Sequence, residues 1–151
     1  SGRKINDGMG KFISDVIIKK LVLANKIVRQ SKVAIFGITF KENTPDTRNS
    51  KVVDIINGLK EYGIEPIVVD PEADALEAKL EYGLDIVDIK EVKNVDCIVF
   101  AVAHDTFKEM NLDEIDTLFG DFDNKEKVLI DVKSILDKEE VEKRGYSYWR
   151  L

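Results

Sequence analysis

Cysteine, histidine and tryptophan each occur once, and proline three times, in this chain of 151 residues. A lone cysteine, Cys97, excludes an internal disulfide and a cysteine metal cluster. A lone histidine, His104, has no second imidazole beside it, so no metal site is expected. Long apolar runs are missing: none approaches the roughly 18 residues of a membrane-spanning helix, and no signal peptide opens the chain. Positive charge is scarce, with 23 Lys and Arg against 29 Asp and Glu and a net charge of -6. A nucleic-acid or anionic-membrane surface needs clustered cations, so neither partner is expected. One phosphorylated small molecule needs only a local pair. Neither glycine-rich nucleotide fingerprint, G-x-G-x-x-G or G-x-x-x-x-G-K-[ST], is present. Internal repeats and low-complexity tracts are absent too. These absences describe a cytoplasmic protein.

What is present is a 44% hydrophobic chain, enough for one domain with a real core and an appended helix. The stretch from Val33 to Lys60 organises it. An apolar run, Val33 to Thr39, has the length of a buried strand. A polar loop, FKENTPDTRNS, follows with Lys41, Pro45 and Arg48. Asn49 or Ser50 can cap the next helix, whose Val52, Val53, Ile55, Ile56 and Leu59 recur at helical spacing. A strand, a loop with two cations and a helix N-terminus together suit an anion. A solvated surface loop would have the same composition.

Before it, GRKINDGMGKFISDVIIKKLVLANKIV reads as a helix capped by Asn6 or Asp7 and apolar on more than one face. It packs on the following domain, or lies against another domain or a partner chain. Gly8 and Gly10 suit a close backbone approach there. After the central stretch, Glu65–Asp70 reads as a strand and Ala73–Tyr82 as a helix stopped by Gly83. Leu84–Val87 is a weak strand and Ile89–Lys93 a short helix. Val95–Ala103 is the most apolar strand and belongs at the centre of a sheet. Helical TFKEM and NLDEIDTLF, a strand at Val128–Val132, a helix at Asp137–Arg144 ended by Gly145 and an edge strand in YSYWRL complete the chain. This alternation predicts an α/β fold: a doubly wound, Rossmann-like parallel sheet with an N-terminal linker helix. Ligands of such sheets sit beyond the strands' carboxyl ends. Residues 40–50, 70–71, 103–107 and 133–134 lie on that edge.

GITFKENTPDTRNSKVVDII resembles the stretch that opens the C-terminal domain of the UDP-glucose/GDP-mannose dehydrogenase family. VVDP, VFAVAHDTF, LIDVKSILD and GRKINDGMG stand in the family's order, and the resemblance covers nearly the whole chain. GRKINDGMG and the YWRL ending are similar to the branch that oxidises UDP-N-acetylhexosamines. The resemblance implies a linker helix over residues 1–30 and a UDP-binding domain over 31–151. It implies NAD-dependent oxidation of a UDP-sugar to a UDP-uronic acid, for polysaccharide precursors, by way of a thioester on a catalytic cysteine. That cysteine, a general-base lysine and the NAD-binding domain would lie before GRKINDGMG. This chain alone is therefore expected to be inert. Its expected partners are the UDP-sugar, the N-terminal and central domains, and further copies in a homodimer or higher homo-oligomer.

The same resemblance makes Lys41 a contact of the nucleotide sugar, with Phe40 as an apolar wall beside it. Read without the family, Lys41 is also a solvated loop lysine and Phe40 a core residue. Arg48 would face the cleft and touch NAD, or would pair within the loop with Asp46 or Glu42. Lys133 stands where glucose-oxidising members carry arginine, keeping the charge for UDP but losing the planar fork. His104, after a buried strand, is expected on the ligand side. The role of Arg3 stays open. Cys97, mid-strand, reads as a small core hydrophobe, so no catalytic residue is expected here. Two alternatives remain: a flavodoxin-like small-ligand or regulatory domain, for which the acidic pair after the first strand is lacking, and a dimerisation module built on the N-terminal helix.

Overall fold

The computed structural model describes residues 8–151. The expected caps Asn6 and Asp7, together with Arg3, lie outside the described residues. Helix α1 (Met9–Leu23) is followed by β1 (Val33–Phe36), α2 (Val52–Lys60), β2 (Ile67–Val69), α3 (Ala75–Tyr82) and β3 (Ile86–Val87). Then come β4 (Cys97–Phe100), α4 (Asp105–Lys108), α5 (Leu112–Asp116), β5 (Val128–Asp131), α6 (Lys138–Arg144) and β6 (Ser147–Arg150). The strands form one sheet in the order β3-β2-β1-β4-β5-β6, and every neighbouring pair is parallel.

Strands β1, β4 and β5 are buried at every residue, because helices cover both faces of the sheet. Strand β4 lies between β1 and β5, as its apolar sequence predicts. The order reverses between β1 and β4, which is the arrangement of dinucleotide-binding doubly wound sheets. A flavodoxin-like sheet would place the third strand beside the first, so the structure overturns that alternative.

Local chemistry sets most boundaries. Asp74 Oδ1 accepts from the Glu77 N–H at 3.0 Å to open α3, and Gly83 closes it at φ +69°. Asp137 and Gly145 do the same for α6. Two expectations need correction. The first helix stops at Leu23 rather than near Val28, because Asn25 turns into the left-handed region and Lys26 donates back to the Leu21 carbonyl. Helix α2 starts after Lys51, not Asn49 or Ser50, although the Ser50 hydroxyl still accepts the Val52 N–H at 3.2 Å.

Helix α1 packs on its own domain. Ile13, Ile17 and Leu21 are fully buried against α2 and the sheet. Each such burial is worth about 1.5–3 kcal/mol. Phe12, Val22 and Leu23 face outward, and Phe12 rests edge-on against Trp149 of β6. The α1–α2 crossing depends on small residues, since a Cβ on Gly10 would fall 2.4 Å from Asp54 Cβ and one on Gly58 2.2 Å from Ser14 Oγ. Gly10→Val is expected to force the helices apart at a cost of about 1–3 kcal/mol. A urea titration should show a lower midpoint at unchanged slope; an unmoved midpoint would mean that α1 does not dock there.

Candidate functional site

The site is built on the loop between β1 and α2. At its start Gly37 has φ +106°, and a Cβ there would lie 2.6 Å from Val102 Cβ, so the carboxyl ends of β1 and β4 converge. Asp70, the residue that follows β2, receives the next part of the loop. Its Oδ2 accepts N–H groups from Ile38 at 2.7 Å and Thr39 at 3.3 Å. Its Oδ1 accepts those of Glu72 at 2.9 Å and Ala73 at 3.0 Å. His104 Nε2 adds a fifth contact at 3.0 Å. Burial of the Asp70 carboxyl opposes ionisation, but the His104 and backbone donors outweigh it and hold the pKa below the usual value.

Helix α3 holds the far half of the loop. Glu77 Oε1 accepts from Thr47 N–H at 2.7 Å and Thr47 Oγ1 at 2.9 Å, and Tyr82 donates to the Thr47 carbonyl at 2.7 Å. The Asp74 N–H meets the Pro45 carbonyl at 3.0 Å. The loop is thus a rigid platform. The helix N-terminus behind it is less open than the sequence suggests, because Ser50 takes the Val52 N–H.

On that platform Phe40 is 59% exposed, an aromatic ring without a core to fill. Lys41 is exposed, and neither it nor exposed Lys133 makes an ion pair with a described residue. Lys133 sits on the turn after β5, two strands from β1 across β4. Buried Asp131 shapes that turn by accepting from Ile135 and Leu136 N–H at 3.0 and 2.9 Å. Arg48 pairs within the loop, with Nε 3.0 Å from Asp46 Oδ1 and Nη2 3.1 Å from Oδ2. That fork lowers the Asp46 pKa and raises that of Arg48.

His104 is not where a ligand would meet it. It is fully buried, its Nδ1 accepts the Asn43 N–H at 2.9 Å, and its ring packs 5.3 Å from that of Phe107. Both nitrogens are used, so its place is beneath the loop and not on the ligand side. The residues that the sequence reading passed over are Asp70, Asn43 and Asp131. The signal for two of them was available: an aspartate ending an apolar strand, in IVVD and VLID, stands where loop N–H groups need an acceptor.

A pocket of about 490 Å³ opens over β2 and β3, lined by apolar groups including Ile86, Ile89, Phe107 and Met110. Its charged members are Asp70 and Asp88, and it holds no cation, which does not suit a diphosphate. Cys97 is fully buried, and burial followed by the nearby Asp96 pushes its thiol pKa up, the environment of a core thiol. Among the described residues no cluster of three His, Cys, Asp or Glu could hold a metal ion, and no helix is long and apolar enough to cross a membrane.

Residues 34–138 match the profile of the UDP-glucose/GDP-mannose dehydrogenase family, UDP binding domain. Over its full length the chain is 43% identical to Protein CapL of Staphylococcus aureus and covers 34% of that protein. Over 95% of its length it is 40% identical to UDP-N-acetyl-D-glucosamine 6-dehydrogenase of Pseudomonas aeruginosa, covering 33% of it. The fold superposes with a TM-score of 0.84, at 25% identity, on NDP-N-acetyl-D-galactosaminuronic acid dehydrogenase of Methanosarcina mazei, over 98% of this chain and 30% of that one. The chain spans about a third of the length of the curated relatives it matches.

Proposed function

This chain belongs to the UDP-glucose/GDP-mannose dehydrogenase family, and from that premise we propose that residues 31–151 bind the UDP half of a UDP-sugar, with residues 1–30 leading in from a central region of the whole protein. The observation that carries this reading is the pairing of exposed Phe40 with unpaired Lys41 on a buttressed loop at the reversal point of the sheet. A diphosphate needs cations that are not already neutralised, and an exposed aromatic ring offers a stacking face to a pyrimidine. Lys133, also unpaired, supplies a second cation from beyond β4. His104 acts beneath the loop.

The domain's work is to hold the nucleotide so that binding energy remote from the reacting carbon orients the sugar. The whole protein would then oxidise the primary alcohol of a UDP-sugar to a carboxylate, with NAD accepting the hydrides. The names of the relatives point to an N-acetylhexosamine as the sugar. The described residues do not fit the adenosine half of NAD. No glycine fingerprint follows β1, and the carboxylate ending β2, which would meet a ribose in a dinucleotide domain, is saturated by protein donors. NAD therefore belongs on another domain, with Arg48 as the contact from this one. Exposed Phe12, Val22 and Leu23 on α1 suit cover by those domains or by a second copy in a homo-oligomer.

Isothermal titration of the chain with UDP tests the reading. Saturable binding is expected from UDP and weaker binding from uridine, which lacks the phosphates. Arg48→Ala should leave UDP affinity within about twofold, since its guanidinium already faces Asp46. Uridine binding as well as UDP would remove the cations from the site.

A further inference from the structure

We propose that Asn43, His104 and Asp70 are positioning residues: they lock the loop bearing Phe40 and Lys41 to the ends of β2 and β4 before any ligand arrives. The inference rests on the UDP site proposed above and names what holds it in shape. Asn43 is the hook. It sits at φ +59°, which asparagine tolerates, and engages the β4–α4 junction twice. Its N–H donates to His104 Nδ1 at 2.9 Å, and its Oδ1 accepts the Asp105 N–H at 3.0 Å.

Because Nδ1 is an acceptor here, the single proton of the neutral ring resides on Nε2, aimed at Asp70 3.0 Å away. Asp70 in turn gathers the N–H groups of Ile38 and Thr39 from the start of the same loop. The chain from Asn43 through His104 and Asp70 back to Thr39 closes a ring around residues 39–43. Inside it the Lys41 carbonyl accepts from Thr39 Oγ1 at 2.8 Å, and the Phe40 N–H meets the Asp46 carbonyl at 2.7 Å. The Lys41 carbonyl and the Phe40 N–H are thus tied while the Lys41 ammonium makes no ion pair with a described residue. A buried imidazole and carboxylate are unfavourable unless fully hydrogen-bonded, and an apolar pair would fill the space more simply. Their use here is to order the loop at folding and not at binding, which removes that entropy from the ligand's affinity.

Three measurements on the chain decide it. The lone imidazole gives one set of ring ¹⁵N signals, and at neutral pH these should report the Nε2–H tautomer; an Nδ1–H ring would overturn the proposal. Asn43→Gly keeps the positive φ and the backbone N–H but removes the Oδ1 hook. It should weaken UDP about three- to tenfold, the worth of one neutral hydrogen bond. In the Lys41→Ala background the same change should cost less, because the residue acts in part through Lys41; an equal loss in both backgrounds would overturn the positioning role. His104→Gln keeps a donor for Asp70 at the Nε2 position but places no acceptor at the Nδ1 position that receives the Asn43 N–H, and it should show the same coupling. If the unaltered chain does not bind UDP, the UDP reading fails, and amide hydrogen exchange then tests the clamp alone. Asn43→Gly should speed exchange at Phe40 with β5 amides unchanged, and unchanged exchange at Phe40 would overturn it.

Discussion

Lys41→Ala is expected to weaken UDP by about ten- to a hundredfold, as loss of one charge-assisted contact implies. Its ammonium is exposed and has no acidic partner among the described residues, so no salt bridge must break before it meets a phosphate. The loop beneath it is ordered by Asp70, Glu77 and Tyr82, so little ordering remains to be done on binding. Arg48 differs on the first count, since the Nε–Nη2 edge of its guanidinium is spent on Asp46. Added salt should weaken the unaltered chain's binding by screening, and the Lys41→Ala chain should respond less. Titration calorimetry at two ionic strengths reads both effects. Unchanged affinity in Lys41→Ala with a loss in Arg48→Ala would mean that the two cations have exchanged roles.

Asp70→Asn is expected to give the largest loss of stability, at least about 3 kcal/mol, because an amide nitrogen would face donors that need an acceptor. Asp70 is 4% exposed and meets four backbone N–H groups and His104 Nε2. Replacing one oxygen by NH2 strands at least two of those donors. Against a total of about 5–15 kcal/mol for a small domain, such a loss should lower the melting temperature substantially. The pH dependence follows in sign. The folded-state pKa of Asp70 is lowered, so its stabilisation is complete above the unfolded carboxylate value of about 3.9 and is lost as pH falls through the folded value. Denaturation midpoints measured from neutral pH down into the acid range should fall less for Asp70→Asn than for the unaltered chain. Parallel acid profiles would show that Asp70 is not the titrating support.

The fold was legible because each strand is a short apolar run between turn residues, and each crossover helix carries its own start and stop. Val33–Phe36, Cys97–Phe100 and Val128–Asp131 need only their own composition to be read as buried strands. Asp74 and Gly83 bound α3 by interactions within a few residues. That Lys41 and Phe40 stand in the loop after the first strand was legible in the same way, and their contact with a nucleotide is what we propose. Tertiary structure alone decided what each polar residue of the edge does. Whether His104 faced a ligand or the core depended on Asn43 and Asp70, 61 and 34 residues away. Arg48 had two acidic neighbours in the loop, and only the loop's path gave it to Asp46. The first helix was apolar on more than one side, and which side met the sheet depended on the close approach of Gly10 and Ser14 to α2. Strand and helix formation are set by periodicity and by contacts a few residues apart, which a sequence displays. Which donor meets which acceptor at the end of a sheet is set by strand order and chain crossing, and these exist only once the chain has folded.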